Sequence, residues 1–216
     1  MKVLVAGASR GSGLAVVRRL VTDGHEVTAF GRTVAAASFP DGVRVEQGDV
    51  GDATALDRAV AGQDAVVVTL GISDNAVKVR LLRRASTPLD VRSSGTRAVV
   101  AAMRRHDVDR LVVQTTIGAH ESFSSLSPTW KAMFRVVLAD QLRDSERQED
   151  VVRSSGLRWT LIRPVSLDDA TEPSQVLVSS TGEVASMKVS RAQVAGVVAD
   201  SLGSDERIGQ TLAVSA

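Results

Sequence analysis

Apolar and polar positions in this chain switch back and forth between two periods. Short β-branched runs at "KVLVA" (2–6), "EVTAF" (26–30) and "VRVEQ" (43–47) read as strands. So do "AVVVTL" (65–70), "RLVVQT" (110–115), "RWTLIR" (158–163) and a late "QTLAV". Most are nearly continuous rather than alternating, which marks strands covered on both faces. Between them the helical period appears near 13–23, 53–61, 88–106 and 129–154, and again from Ser190 in "SRAQVAGVVADSL". Asp52 is placed to cap the second helix, and Gly24 and Gly62 fall where helices end. Strand–helix alternation of this kind predicts an α/β fold: a doubly wound, mostly parallel twisted sheet of six to seven strands, helices on both faces. No repeat, low-complexity tract or linker interrupts it, so one domain is expected over residues 1–216.

Composition narrows the chemistry. Lys plus Arg is 26 and Asp plus Glu is 25, a net charge of +1, which gives no reason to expect a nucleic-acid or membrane partner. The absence of cysteine excludes disulfides and thiolate chemistry. Three scattered histidines, His25, His106 and His120, argue against a metal site. A strand expected from Lys2 leaves no room for a signal peptide, and a cytoplasmic protein is the expectation. The chain also has no tyrosine.

The most telling stretch is "VLVAGASRGSGLAVVRRL", residues 3–20. A glycine-rich turn between a first strand and a helix puts free amides and the positive end of the helix dipole where a phosphate can bind. Gly7 would permit the turn, Gly11 would let a pyrophosphate approach, and Gly13 would let the helix pack close to the strand. Ser9, Arg10, Ser12 and Leu14 complete the expected dinucleotide contact. At the end of the second strand, "VTAFGRT" has Arg32 and no carboxylate. An arginine there accommodates the 2′-phosphate of NADP, where an acid would hold the ribose of NAD. Arg10 supplies a second cation for the same phosphate, so the expected cofactor is NADP(H). Asp49, with Val50 beside it in "QGDV", is placed to accept from the adenine amino group.

"AGASRGSG" resembles the glycine motif of short-chain dehydrogenases/reductases. The set "FGRT", "GDV", "VVVTLG", "VVQTTIGA", "RSSGLRWTLIRP" and "VSRAQVAGVVADSL" is similar to that family's atypical NAD(P)H-binding branch. That branch includes NmrA-like proteins and the biliverdin reductase B/flavin reductase type. The resemblance runs through essentially the whole chain and implies a Rossmann-type fold. It also implies cofactor contacts at Leu70, Gly71 and Ile72 after the fourth strand. Thr115, and Pro164 with Val165, are implied contacts after the fifth and sixth strands. Thr116 would stand at the family's serine position, with Ser166 just beyond the Arg163–Pro164 corner.

The departure is in the chemistry. Typical family members use a Tyr and a Lys four apart on a helix, and here Gln141 and Ser145 stand at those positions. Glutamine is no general acid, which removes alcohol oxidation by that route. Electron-poor rings need no strong acid, so the expected activity is NADPH-dependent hydride transfer to a flavin, quinone or similar conjugated carbonyl compound. Thr116 and Ser166 would hold the substrate. The alternative is a non-catalytic NADP(H)-binding redox sensor of the NmrA-like type. A small aromatic or quinone-like partner and a monomer or homodimer are expected. "KVRLLRR" (78–84) reads as a solvated basic face, and His120 is the one histidine near the expected site.

Overall fold

A computed structural model describes residues 1–71, 88–123, 128–136, 138–170 and 175–216. Seven parallel strands form its centre: β1 (Lys2–Ala6), β2 (Glu26–Gly31), β3 (Arg44–Gln47), β4 (Ala65–Val68), β5 (Arg110–Gln114), β6 (Arg158–Pro164) and β10 (Gln210–Ser215). The order is β3-β2-β1-β4-β5-β6-β10, closed at one edge by the antiparallel β8 (Leu177–Ser179). Two further short strands, β7 (Ser166–Asp168) and β9 (Lys188–Ser190), pair with each other as a separate ribbon. This is the doubly wound α/β sheet that the alternating pattern predicts. β7, β8 and β9, three residues each, are too short to carry a period and were not expected.

Alternation along each buried strand feeds two cores. Val3 and Val5 face one layer with Val16, Val17 and Leu20 of α1 (Gly11–Thr22) and Val194 and Val198 of α6 (Arg191–Leu202). Leu4 and Ala6 face the other, with Leu56 of α2 (Ala53–Val60), Met103 of α3 (Val91–Arg105) and Val152 of α5 (Ala139–Arg153). Asp52 caps α2, accepting from the Thr54 and Ala55 amides at 3.0 and 3.1 Å. Ser190 and Gln193 form a capping box on α6. Gly24 and Gly62 take positive φ just past their helices, as their positions suggested.

The single helix expected over 129–154 is two: α4 (Pro128–Val136) and α5. Leu138, at φ −109° and ψ 9°, leaves helical geometry and starts α5 afresh. α5 carries polar groups into the interior. Asp144, 2% exposed, accepts from the Arg92 and Ser93 amides at 3.0 and 3.1 Å and from Ser93 Oγ at 2.5 Å. It therefore caps α3 from a different helix, while Asp90 at the α3 N-cap makes no side-chain cap bond. One turn on, the fully buried Glu149 takes a two-pronged bond from Arg163 of β6, 2.8 and 2.6 Å, and a third from Thr115 Oγ1 at 2.9 Å. Arg163 Nη1 also donates to Glu121 at 2.6 Å. Burial works against the Arg163 charge, but its bonds to the Glu149 and Glu121 carboxylates more than offset this and hold the guanidinium protonated.

Two outcomes follow from this cluster. Glu149→Gln removes the buried counter-ion of Arg163 and leaves only the more exposed Glu121, a loss of about 3–5 kcal/mol. A lowered thermal midpoint, by roughly 6–20 °C for a chain of this size, is the measurement. Glu121 is held below the usual carboxylate range, chiefly by its bond from Arg163. Its contribution is complete at neutral pH and disappears as pH falls through that lowered value. Thermal midpoints of the wild type and Glu121→Gln should therefore converge as pH is lowered from about 5 toward 3.

Candidate functional site

The strand order reverses between β1 and β4, so the loops that leave these two strands diverge to opposite sides. A crevice at such a switch point is the usual ligand site of an open parallel sheet. A cleft of about 820 Å³ lies there, ample for a dinucleotide. Its floor is the glycine loop, with Gly7, Ser9, Arg10, Gly11 and Ser12. One end holds Arg32, Asp49 and Val50, and the far wall holds Thr69, Leu70 and Gly71.

Glycines shape that floor. Gly7 has φ +91°, and a Cβ on it would stand 2.9 Å from the Thr69 carbonyl oxygen. At Gly13 a Cβ would stand 2.1 Å from the Gly7 carbonyl oxygen, so α1 can rest on the loop only with no side chain there. α1 begins at Gly11 behind an extended Arg10 (φ −162°), with no side-chain cap and no acidic residue in its first turn. A helix end left this way favours an anion. Gln114, the last residue of β5, closes the cleft below Ser12: its Nε2 donates to Ser12 Oγ at 3.1 Å. Gln114 is 8% exposed, and its buried Oε1 has no hydrogen-bond partner among the described residues. An orphaned acceptor in a cleft wall is a place for a ligand's donor. Loop, open helix end and orphaned acceptor all fit a dinucleotide.

The other expected residues fall elsewhere. Gly13 supports the loop from beneath, and Leu14 lines a neighbouring groove between α1 and α6. Thr115 is buried with its hydroxyl turned to Glu149, away from the cleft. Thr116 donates to the Ile117 carbonyl at 3.2 Å and is not among the cleft-lining residues. Pro164 and Val165 are buried behind the lining: Pro164 O accepts from the Ile117 amide, and the Val165 amide donates to Val214 O. Strand alternation in β7 exposes Ser166 and sends Leu167 into the cleft instead. His120 is held by α5, its Nε2 at 3.2 Å from both the Glu146 carbonyl and Asp150. Arg32, expected to have no acidic partner, has its Nε 3.8 Å from Asp49 Oδ2, while Asp49 Oδ1 accepts from the Gly51 amide at 2.8 Å. Both side chains are about half exposed, so this pairing is weak. Ile72 and the basic run 78–84 lie outside the described residues.

Several lining residues were not singled out from the sequence. Gln114 is legible afterwards as a polar residue ending the apolar run "RLVVQ". The N-terminal turn of α3 brings Arg92, Ser94 and Gly95 to the cleft, held there by Asp144. Arg191, first in α6, reaches over Gly11 from the opposite side, and no local pattern announces it.

Comparison with known proteins decides the family. A model of the family described as NAD(P)H-binding matches residues 7–205. The chain belongs to that family. A 2-alkyl-3-oxoalkanoate reductase of Stenotrophomonas maltophilia (strain K279a) is 36% identical over 116 residues, 54% of this chain and 33% of that protein. This NAD(P)H-binding chain therefore matches only about a third of that relative's length. Among solved structures, a Rossmann-fold NAD(P)-binding family protein from Shigella flexneri is 26% identical, with a TM-score of 0.72 over 99% of this chain and 92% of that one. ChuY, an anaerobillin reductase from Escherichia coli O157:H7, shares the fold at 20% identity, with a TM-score of 0.75 over 100% and 97% of the two chains. The expected Rossmann-type fold and membership of an NAD(P)H-binding family are upheld.

The glycine contact is open to a direct test. Gly13→Ala forces α1 off the loop against backbone atoms, which have no rotamer to escape into. An overpacking cost of about 1–3 kcal/mol is expected, with a thermal midpoint lowered by roughly 2–12 °C. Dinucleotide affinity, measured by calorimetry on the folded fraction, should fall with it.

Proposed function

We propose that this chain is an NADPH-dependent reductase that delivers hydride to a flavin, a quinone or a similarly conjugated carbonyl compound. The observation that carries this reading is a cleft fit for a dinucleotide, with Arg32 at one end and no evident general acid among the described residues at the other. Among the described residues that line it there is no tyrosine, lysine or histidine. The carboxyls are Asp49 at the Arg32 end and Asp90 before α3.

Bound in the cleft, a reduced nicotinamide would supply the hydride. The chain's own residues would then divide the remaining tasks. The glycine loop and the α1 amides receive the phosphates. Arg32 and Arg10 meet the 2′-phosphate, while Asp49 and Val50 border the adenine. Gln114 Oε1 offers a buried acceptor to an amide N–H. Leu70 and Leu167 give an apolar wall against which a flat acceptor ring can lie and from which water is excluded. Thr116 and Ser166, the hydroxyls that the family resemblance puts near the reacting ring, do not line this cleft and are given no task in it. An acceptor that is already electron-poor takes its proton from water, which suits a site built this way.

A second reading, a non-catalytic NADP(H) sensor, is favoured by one observation. Ser145, where the family's lysine would stand, is buried and donates to the Gln141 carbonyl at 3.0 Å, closing off that position from chemistry.

Calorimetric titration should give NADPH at least about tenfold tighter than NADH, since one charge-assisted contact of roughly 1.5–3 kcal/mol exceeds the ~1.4 kcal/mol a factor of ten needs. Arg32→Ala should remove most of that preference, and equal affinities in the wild type would overturn it. NADPH consumption against a panel of flavins, quinones and aldehydes should show turnover with the electron-poor rings. No oxidation of secondary alcohols with NADP⁺ is expected. Tight NADPH binding with no turnover anywhere in the panel would decide for the sensor.

A further inference from the structure

Arg191 is the first residue of α6, yet the capping box of that helix is completed by Ser190 and Gln193 without it. Its side chain instead leaves α6 and lies over the glycine loop. Arg191 Nε is 3.6 Å from the point a Cβ on Gly11 would occupy. Nη1 donates to Asp169 Oδ1 at 2.8 Å, in the segment that follows β7. The side chain is 28% exposed, against 84% for Asp169, so the pair is anchored on the arginine side and open on the other. Arg191 also separates the cleft from the groove between α1 and α6, lining both.

This placement adds a cation to an end of the cleft that is already positive. The guanidinium borders the positive end of α1, whose first turn holds no acidic residue, and Arg10 stands on the same loop. Among the described residues Asp169 is the carboxylate paired with Arg191, and it offsets a single cation on the exposed side. An anion in the cleft would meet both Arg191 and Gly11, which line it side by side. The buried, unpartnered Oε1 of Gln114 marks the same part of the cleft as built to receive a ligand, next to Ser12.

We propose that Arg191 is a pyrophosphate clamp. It closes on the phosphates from the α6 side while the α1 amides hold them from below, and Asp169 keeps its fork oriented. This rests on the dinucleotide reading above and adds a division of labour to it. Arg32, at the end of β2, reads the 2′-phosphate and so separates NADPH from NADH. Arg191 binds what the two cofactors share and separates neither.

Calorimetry with three probes tests this: NADPH, NADH, and 2′-AMP, which carries the 2′-phosphate but no pyrophosphate. Arg191→Ala should weaken NADPH and NADH alike, by roughly 10- to 100-fold, the scale of one charge-assisted contact. The NADPH/NADH ratio should stay within about twofold of wild type, and 2′-AMP affinity should not change. Arg32→Ala should give the converse, a lost ratio and weaker 2′-AMP. Arg191→Lys, which keeps the stem and the charge but not the fork, should fall between, and it serves if the alanine variant fails to fold. Thermal midpoints without nucleotide show whether either variant is folded. Unchanged affinity for both dinucleotides in folded Arg191 variants would overturn the clamp alone. So would a loss confined to NADPH and 2′-AMP, which would make Arg191 a second reader of the 2′-phosphate. A wild type that binds neither dinucleotide would overturn the functional reading and the clamp together.

Discussion

The contact between Gly13 and the carbonyl of Gly7 is the constraint on which the rest of the site depends. With no side chain between them, α1 descends directly onto the turn that leaves β1. That brings its uncapped first turn to the point where the strand order reverses. Were the helix held further out by a Cβ, the crevice would still exist, but its floor would be a loop with no aligned amides. Around this contact the other close approaches fall into place: Gly7 against Thr69, and Gly95, where a Cβ would meet Leu70 and Val50.

α5 spends its polar side chains on the fold. It turns Asp144, Gln148 and Glu149 inward to structural partners: the start of α3, Thr96, and the Arg163–Thr115 pair. These polar groups are tied into the fold. Gln114 and Arg191, from β5 and α6, supply polar contacts at the cleft instead.

Much of the architecture was legible because buried parallel strands and amphipathic helices leave periods in the sequence. Asp52, Gly24, Gly62 and Ser190 marked helix ends through purely local chemistry, which is why all four could be read. The glycine loop was legible for the same reason: spacing and context lie within one turn. Illegible features depend on where distant segments meet. Arg191 reaches Gly11 across 180 positions, and Asp169 holds it from another loop. Leu167 enters the cleft in place of Ser166 because a three-residue strand sets the alternation, and so short an element has no period of its own. Thr115 was expected at the cleft through the family resemblance, which does not say which way a hydroxyl turns when a buried Glu149 competes for it.

Asp144 has a consequence for how the molecule opens. The amides of Arg92 and Ser93 find their acceptor not in their own helix but in a carboxylate about fifty positions downstream. Exchange of those amides with solvent therefore requires their bonds to α5 to break, so packing of α5 on α3 protects a turn that an isolated helix would leave frayed. The wall that α3 gives the cleft is thereby steadied from a second helix, while the glycine-loop side is ruled by its own backbone contacts.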